Sequence, residues 1–116
     1  MFKWTKQWGT VGHDYGNSVA VDSNGNIFVT GYTEGSLDGN PSAGGYDIFL
    51  TKWNSDGTKA WTKQWGTSVY DIGYSVAVDG SGNIFVTGQT QGSLDGNINA
   101  GGADIFVTKW NSDGTK

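Results

Sequence analysis

The sequence predicts an all-β chain of two consecutive four-stranded antiparallel sheets, on three observations. First, the 116 residues repeat at an offset of 57 without a gap: Trp4 aligns with Trp61, Gly25 with Gly82, Thr30 with Thr87 and Asp47 with Asp104. Between residues 3–59 and 60–116 there are 14 differences, leaving 43 of 57 positions identical. Second, short β-branched and aromatic runs alternate with clusters of Gly, Asn, Asp and Ser, the pattern of strands joined by tight turns. Third, most of these runs are apolar on both faces, as strands are when their sheet is sandwiched between two others. A tandem unit of this length with several strands points to propeller blades. Two independent domains would leave each small sheet bare on both sides.

In the first unit the inner strand is Ser18–Asp22 (SVAVD). The turn Ser23-Asn24-Gly25 leads to Asn26–Thr33 (NIFVTGYT), its glycine supplying a positive φ. After a loop, Asp47–Trp53 (DIFLTKW) is the third strand, and the turn Asn54-Ser55-Asp56-Gly57 leads to Thr58–Trp65, the outermost. The second unit repeats these at Ser75–Asp79, Asn83–Thr90 and Asp104–Trp110, and ends in NSDGTK.

At SVAVDSNGNIFVTGYT and GGYDIFLTKWNSDG the sequence resembles the SBBP-type β-propeller repeat, a relative of the NHL repeat, and both units carry the resemblance. It implies four-stranded blades with SVAVD beside a central channel and WTKQWG outermost. The tryptophan-bearing outer strand is also loosely similar to eight-bladed quinoprotein propellers, but no cofactor-binding set accompanies it.

The order of strands has a consequence. The stretch DIFLTKWNSDGTKAWTKQWG, residues 47–66, is one intact outer hairpin. Its first half recurs at the C-terminus (104–116) and its second half at the N-terminus (4–9). Within one chain these halves lie at opposite flanks of a two-blade wedge, so a monomer exposes unpaired edges and apolar blade faces. Head-to-tail association resolves both: Trp4, Lys6 and Trp8 of one chain meet Asp104, Phe106, Thr108 and Trp110 of the next. Such a heterologous contact closes into a ring or runs on as a filament. With two blades per chain, four chains (eight blades) are favoured over three (six), and the family's nominal seven is excluded by parity. The expected partner is therefore the chain itself. Near-identical units fit recent duplication, excision from a longer protein, or construction.

Composition narrows the function classes. The net charge is −4, arginine is absent and the seven lysines form no run, so no basic patch marks a nucleic-acid binder. There is no cysteine for thiolate chemistry, disulfides or metal binding. No apolar run approaches membrane-spanning length, and MFKWTKQW lacks the apolar core of a signal peptide, which leaves the compartment open. Enzymatic chemistry finds little support: the single histidine, His13, is Tyr70 in the second unit, and no nucleophile–base set or phosphate-binding glycine loop appears.

What remains is binding. One face of the disc receives residues 10–17 and 34–46 with their repeats, and ten of the 14 differences fall there or at its margin. Loops on a rigid scaffold are where ligands usually dock. Its aromatics Tyr15, Tyr32, Tyr46, Tyr70 and Tyr74 are the candidates for a carbohydrate or protein ligand. The tryptophans read as packing at the wide end of the blade. In the repeated SLDGN, Asp38, Asn40, Asp95 and Asn97 could offer oxygen ligands to Ca²⁺, although the regular spacing of a calcium loop is missing. No other cofactor is expected.

Overall fold

The computed structural model describes residues 3–116. Strands β1 (Asp14–Val21), β2 (Ile27–Thr33), β3 (Asp47–Trp53) and β4 (Lys59–Trp65) form one antiparallel sheet in chain order. Strands β5 (Asp71–Val78), β6 (Ile84–Thr90) and β7 (Asp104–Trp110) form a second. A short 3₁₀ turn, Leu37–Gly39 or Leu94–Gly96, sits in the long loop of each unit and buries its leucine. Among the described residues no helix is long and apolar enough to cross a membrane.

The third strand of each unit lies where the sequence predicts it. The inner strand starts earlier, at Asp14 and Asp71 rather than Ser18 and Ser75, so residues 14–17 are strand and not loop. The register supplies the reason. Asp14 pairs with Thr33 and Tyr15 with Tyr32, and the extra residue Asn17 is taken up as a bulge between Gly16 and Ser18. Tyr74 is the bulged residue of β5. A bulge keeps a polar, glycine-containing stretch in the ladder while increasing the local twist. Gly31 answers it on β2: a Cβ there would collide with the Tyr15 carbonyl oxygen.

The tight turns follow from their residues. The Asp22 carboxylate accepts the Asn24 and Asn26 amides, each at 2.9 Å, while Gly25 takes a φ of 81°. Asp56 likewise holds Thr58, and Gly57 takes a φ of 89°.

The two sheets stack. Phe28, Ile48 and Leu50 share one core with Val76, Ile84 and Val86, and Trp65 and Trp110 fill its outer end. Each buried aliphatic side chain contributes roughly 1.5–3 kcal/mol. Polar bonds tie the sheets nearer the inner strands: Asn17 Nδ2 donates to Gly73 O at 2.8 Å and Val76 N to Ser18 Oγ at 3.3 Å. At the loop face Asp71 N donates to Tyr46 O at 2.8 Å.

Gly31→Ala should lower stability by about 3 kcal/mol, the upper end of an overpacking cost. Gly80→Ala, which meets no atom within 4 Å, should stay within about 0.5 kcal/mol of the parent. Urea denaturation of the two variants tests the contrast.

Candidate functional site

Residues 3–13 form no strand, and Trp4–Trp8 belongs to neither sheet. This segment lies against the first sheet, and its contacts repeat those of β4 against the second sheet at the offset of 57. Trp8 Nε1 donates to Thr51 Oγ1 at 3.2 Å, and Trp65 Nε1 to Thr108 Oγ1 at 3.3 Å. Trp8 meets Trp53 edge to face at 5.1 Å, and Trp65 meets Trp110 at 5.0 Å. Trp4 and Lys6 crowd Gly57 as Trp61 and Lys63 crowd Gly114. Lys59 lies over the Trp8 and Trp53 rings, and Lys116 over Trp65 and Trp110. The segment therefore occupies the position that the outer strand of a preceding sheet would hold.

The sheet flanks differ accordingly. Ile48 of β3 is fully buried and its counterpart Ile105 of β7 is 90% exposed. Val76 of β5 is 6% exposed and its counterpart Val19 of β1 is 62% exposed. Asp104, half-buried, corresponds to the fully buried Asp47. The side chains of β7 divide between two faces. Phe106, Thr108 and Trp110 point inward, toward Trp65 and the core of their own chain. The outward face of β7 carries Ile105 and Val107 instead. Alternation along DIFVTKW separates these two sets, but which set faces outward depends on the direction of stacking. Trp4, Lys6 and Trp8 rest on the first sheet of their own chain.

The SLDGN loop is a clamp on the outer strand. Asp38 Oδ1 accepts Lys59 Nζ at 2.9 Å and Asp38 Oδ2 accepts Thr62 Oγ1 at 2.5 Å. Asn40 donates its amide to Leu37 O and Thr62 O. Gln64 is held at three points: its Oε1 accepts Leu37 N at 2.9 Å, and its Nε2 donates to Gly35 O at 2.8 Å and Asp47 Oδ2 at 3.0 Å. In the second unit Asp95 pairs with Lys116 at 3.0 Å and Asn97 donates to Leu94 O. These residues do not fit a calcium site, because a lysine ammonium already sits on each carboxylate and each asparagine presents its donor. Among the described residues no three acidic or histidine side chains converge to hold a metal ion.

The other acidic side chains of the loop face are anchors too. Asp14 accepts Thr10 N at 2.7 Å and Thr33 Oγ1 at 2.5 Å, and Asp71 accepts Thr67 N and Thr90 Oγ1 in the same way. Asp47 is the exception in its balance. Its Oδ2 accepts Ala43 N and Gln64 Nε2, but its buried Oδ1 has no hydrogen-bond partner among the described residues. A Cβ on Gly66 would lie 2.6 Å from that oxygen and 2.8 Å from Asp71 Oδ2, so the two carboxylates converge on this glycine. Burial pushes the Asp47 carboxyl above the usual carboxylate range against its two hydrogen bonds, and the Asp71 charge adds to the rise.

A raised pKa means that the folded chain favours protonated Asp47. Its contribution to stability is therefore complete below the ordinary carboxylate value and is lost as pH rises through the raised one. Asp47→Asn, which has no charge to bury, should accordingly be more stable than the parent at pH 7. The advantage should shrink at pH 4, as denaturation curves at the two pH values would record.

Four of the five predicted tyrosines come together. Tyr15 stacks on Tyr32 at 4.7 Å, Tyr32 meets Tyr46 edge to face at 5.0 Å, and Tyr46 meets Tyr70 at 5.0 Å across the junction of the sheets. His13 extends the row, 6.2 Å from Tyr15, with its backbone N donating to Glu34 Oε1. Tyr74 stands apart, exposed at the bulge of the inner strand. The second unit has Ile72, Gln89 and Ala103 where the row has Tyr15, Tyr32 and Tyr46.

Residues 3–38 and 60–95 each match the SBBP beta-propeller repeat family. No curated protein matches the chain. Two sheets of four and three antiparallel strands, stacked at a strict sequence offset, are the blades that such repeats build. The chain is a member of the SBBP beta-propeller repeat family.

Proposed function

We propose that the chain is a non-enzymatic propeller module that assembles with itself, head to tail, into a closed ring serving as a structural or interaction scaffold. Residues 4–9 of each chain complete the last blade of its neighbour by pairing with β7. Four chains, giving eight blades, are favoured over three, giving six. The observation that carries this reading is the offset of 57 in the contacts of Trp4–Trp8, which lie as an outer strand without the sheet it belongs to. The flanks support it. Val19 and Val21 on one side and Ile105 and Val107 on the other are exposed, while their counterparts meet inside the chain at the junction of its two sheets. An assembly of this kind needs no cofactor and leaves the loop face free.

Absolute mass in solution tests the ring: about 49 kDa for four chains of 12.3 kDa, about 37 kDa for three. Removing residues 1–9 should abolish the assembly while the internal hairpins persist. A monomeric intact chain, or unchanged mass after the deletion, would overturn the reading. Joining two copies of residues 3–116 end to end separates the ring sizes, since two four-blade chains close eight blades and no whole number of them closes six.

A second reading concerns the loop face, and the internal repeat favours it. The second unit adopts the same strand registers without aromatics at the positions of Tyr15, Tyr32 and Tyr46, so the blade does not need them. A tyrosine row that packing does not require is suited to a carbohydrate ligand, whose apolar faces lie on the rings while its hydroxyl groups meet the phenols. Tyr32→Gln with Tyr46→Ala installs the residues of the second unit. This variant should lose glycan-array binding with stability changed by less than about 1 kcal/mol. Equal binding by the parent and the variant, or none by the parent, would remove the row from function.

A further inference from the structure

We infer that the outer edge of β7, together with the loop of residues 92–97, is a peptide-binding site that selects a strand by a carboxamide, the side chain of Gln7 in a second copy of the chain. This inference rests on the strand exchange proposed above and adds the residue that recognises the incoming strand.

The intact blade is the template. There Gln64 is gripped by one donor, Leu37 N, and two acceptors, Gly35 O and Asp47 Oδ2. A primary amide meets that set with one carbonyl oxygen and one NH₂ group. A glutamate would set two acceptors against Gly35 O and the Asp47 carboxylate. An alanine would leave Leu37 N, on the loop of a buried leucine, without its acceptor.

The second blade repeats every element of the grip in sequence: Gly92, Leu94 and Asp104 stand for Gly35, Leu37 and Asp47. These three line one side of a cleft that continues along Ile105, Phe106 and Val107 of the β7 edge. Gly92 O already accepts Asn99 Nδ2 at 3.1 Å, and a carbonyl oxygen has a second lone pair for the incoming amide. Asn97, whose counterpart Asn40 donates to the Thr62 carbonyl, is placed to reach the Thr5 carbonyl of the second copy.

The register is set by the same template. Ile48 pairs with Trp65, Phe49 with Gln64 and Thr51 with Thr62, so Ile105, Phe106 and Thr108 would pair with Trp8, Gln7 and Thr5 of the second copy. The donated strand Trp4–Gly9 is identical to residues 61–66. The site therefore takes one occupant, an extended WTKQWG segment added to a sheet edge, in which main-chain bonds supply affinity and one side-chain grip supplies selection.

The test uses the full chain carrying Gln7→Glu. Gln7 is exposed in the single chain, so the variant keeps the fold, which circular dichroism verifies. Its assembly should require at least ten times more protein than the parent. A fluorescent, end-blocked KWTKQWG peptide should bind this variant, read by polarisation, and the same peptide with Glu in place of Gln should bind at least tenfold more weakly. Equal binding of the two peptides, or no binding of either, would overturn the inference. Failure of the ring alone is distinguishable: the parent chain would then sediment as a monomer while the peptide still discriminates.

Discussion

A sheet edge that presents a row of unpaired N–H and C=O groups has to be paired, covered or blunted, and the rest of this chain is arranged around one such edge. Strand β3 has β4 beside it and buries Ile48 and Leu50 beneath the second sheet. Strand β7 has the same sequence but for Val107 and, among the described residues, neither a strand on its outer side nor a sheet over Ile105. At the other end of the chain, residues 4–9 carry the same sequence as residues 61–66 and rest on the first sheet.

Near-identity of the two units makes each a control for the other. Where the units agree, the shared residue holds the blade: Asp14 and Asp71 anchor a loop to the second strand, and Lys59 and Lys116 each bridge an aspartate and two indoles. Where they differ, the blade tolerates the change. By this criterion the aspartates shared by both units on the loop face are architectural, and Tyr15, Tyr32 and Tyr46 are not. The tryptophans also fall on the architectural side, since Trp8 and Trp65 make matching contacts in both units.

Much of the fold could be read from residues with strong local preferences. The Ser-Asp-Gly and Asn-Gly turns, and the β-rich runs DIFLTKW and DIFVTKW, lie at their expected positions. The start of the inner strand could not, because Gly16 and Asn17 carry loop preferences and are held in the ladder by pairing with the second strand, where Gly16 faces Gly31. The tyrosines were legible as candidates through their position on the loop face, but their convergence into a row depends on a contact between the two sheets, Tyr46 to Tyr70. The partners of SLDGN were hidden for a related reason. Its carboxylates are claimed by lysines 21 residues further along the chain, a distance that local spacing does not reveal.

By itself the sequence determined the repeat, the number of units, the order of strands and the split hairpin, because each is a matter of period and turn chemistry along one dimension. Only the tertiary structure decided which face of β7 turns outward, where Trp4–Trp8 lies, and which groups grip Gln64. Those outcomes depend on how one twisted sheet stacks on the next, through contacts between residues far apart in the chain such as Asn17 with Gly73 and Trp65 with Thr108, rather than on any local preference.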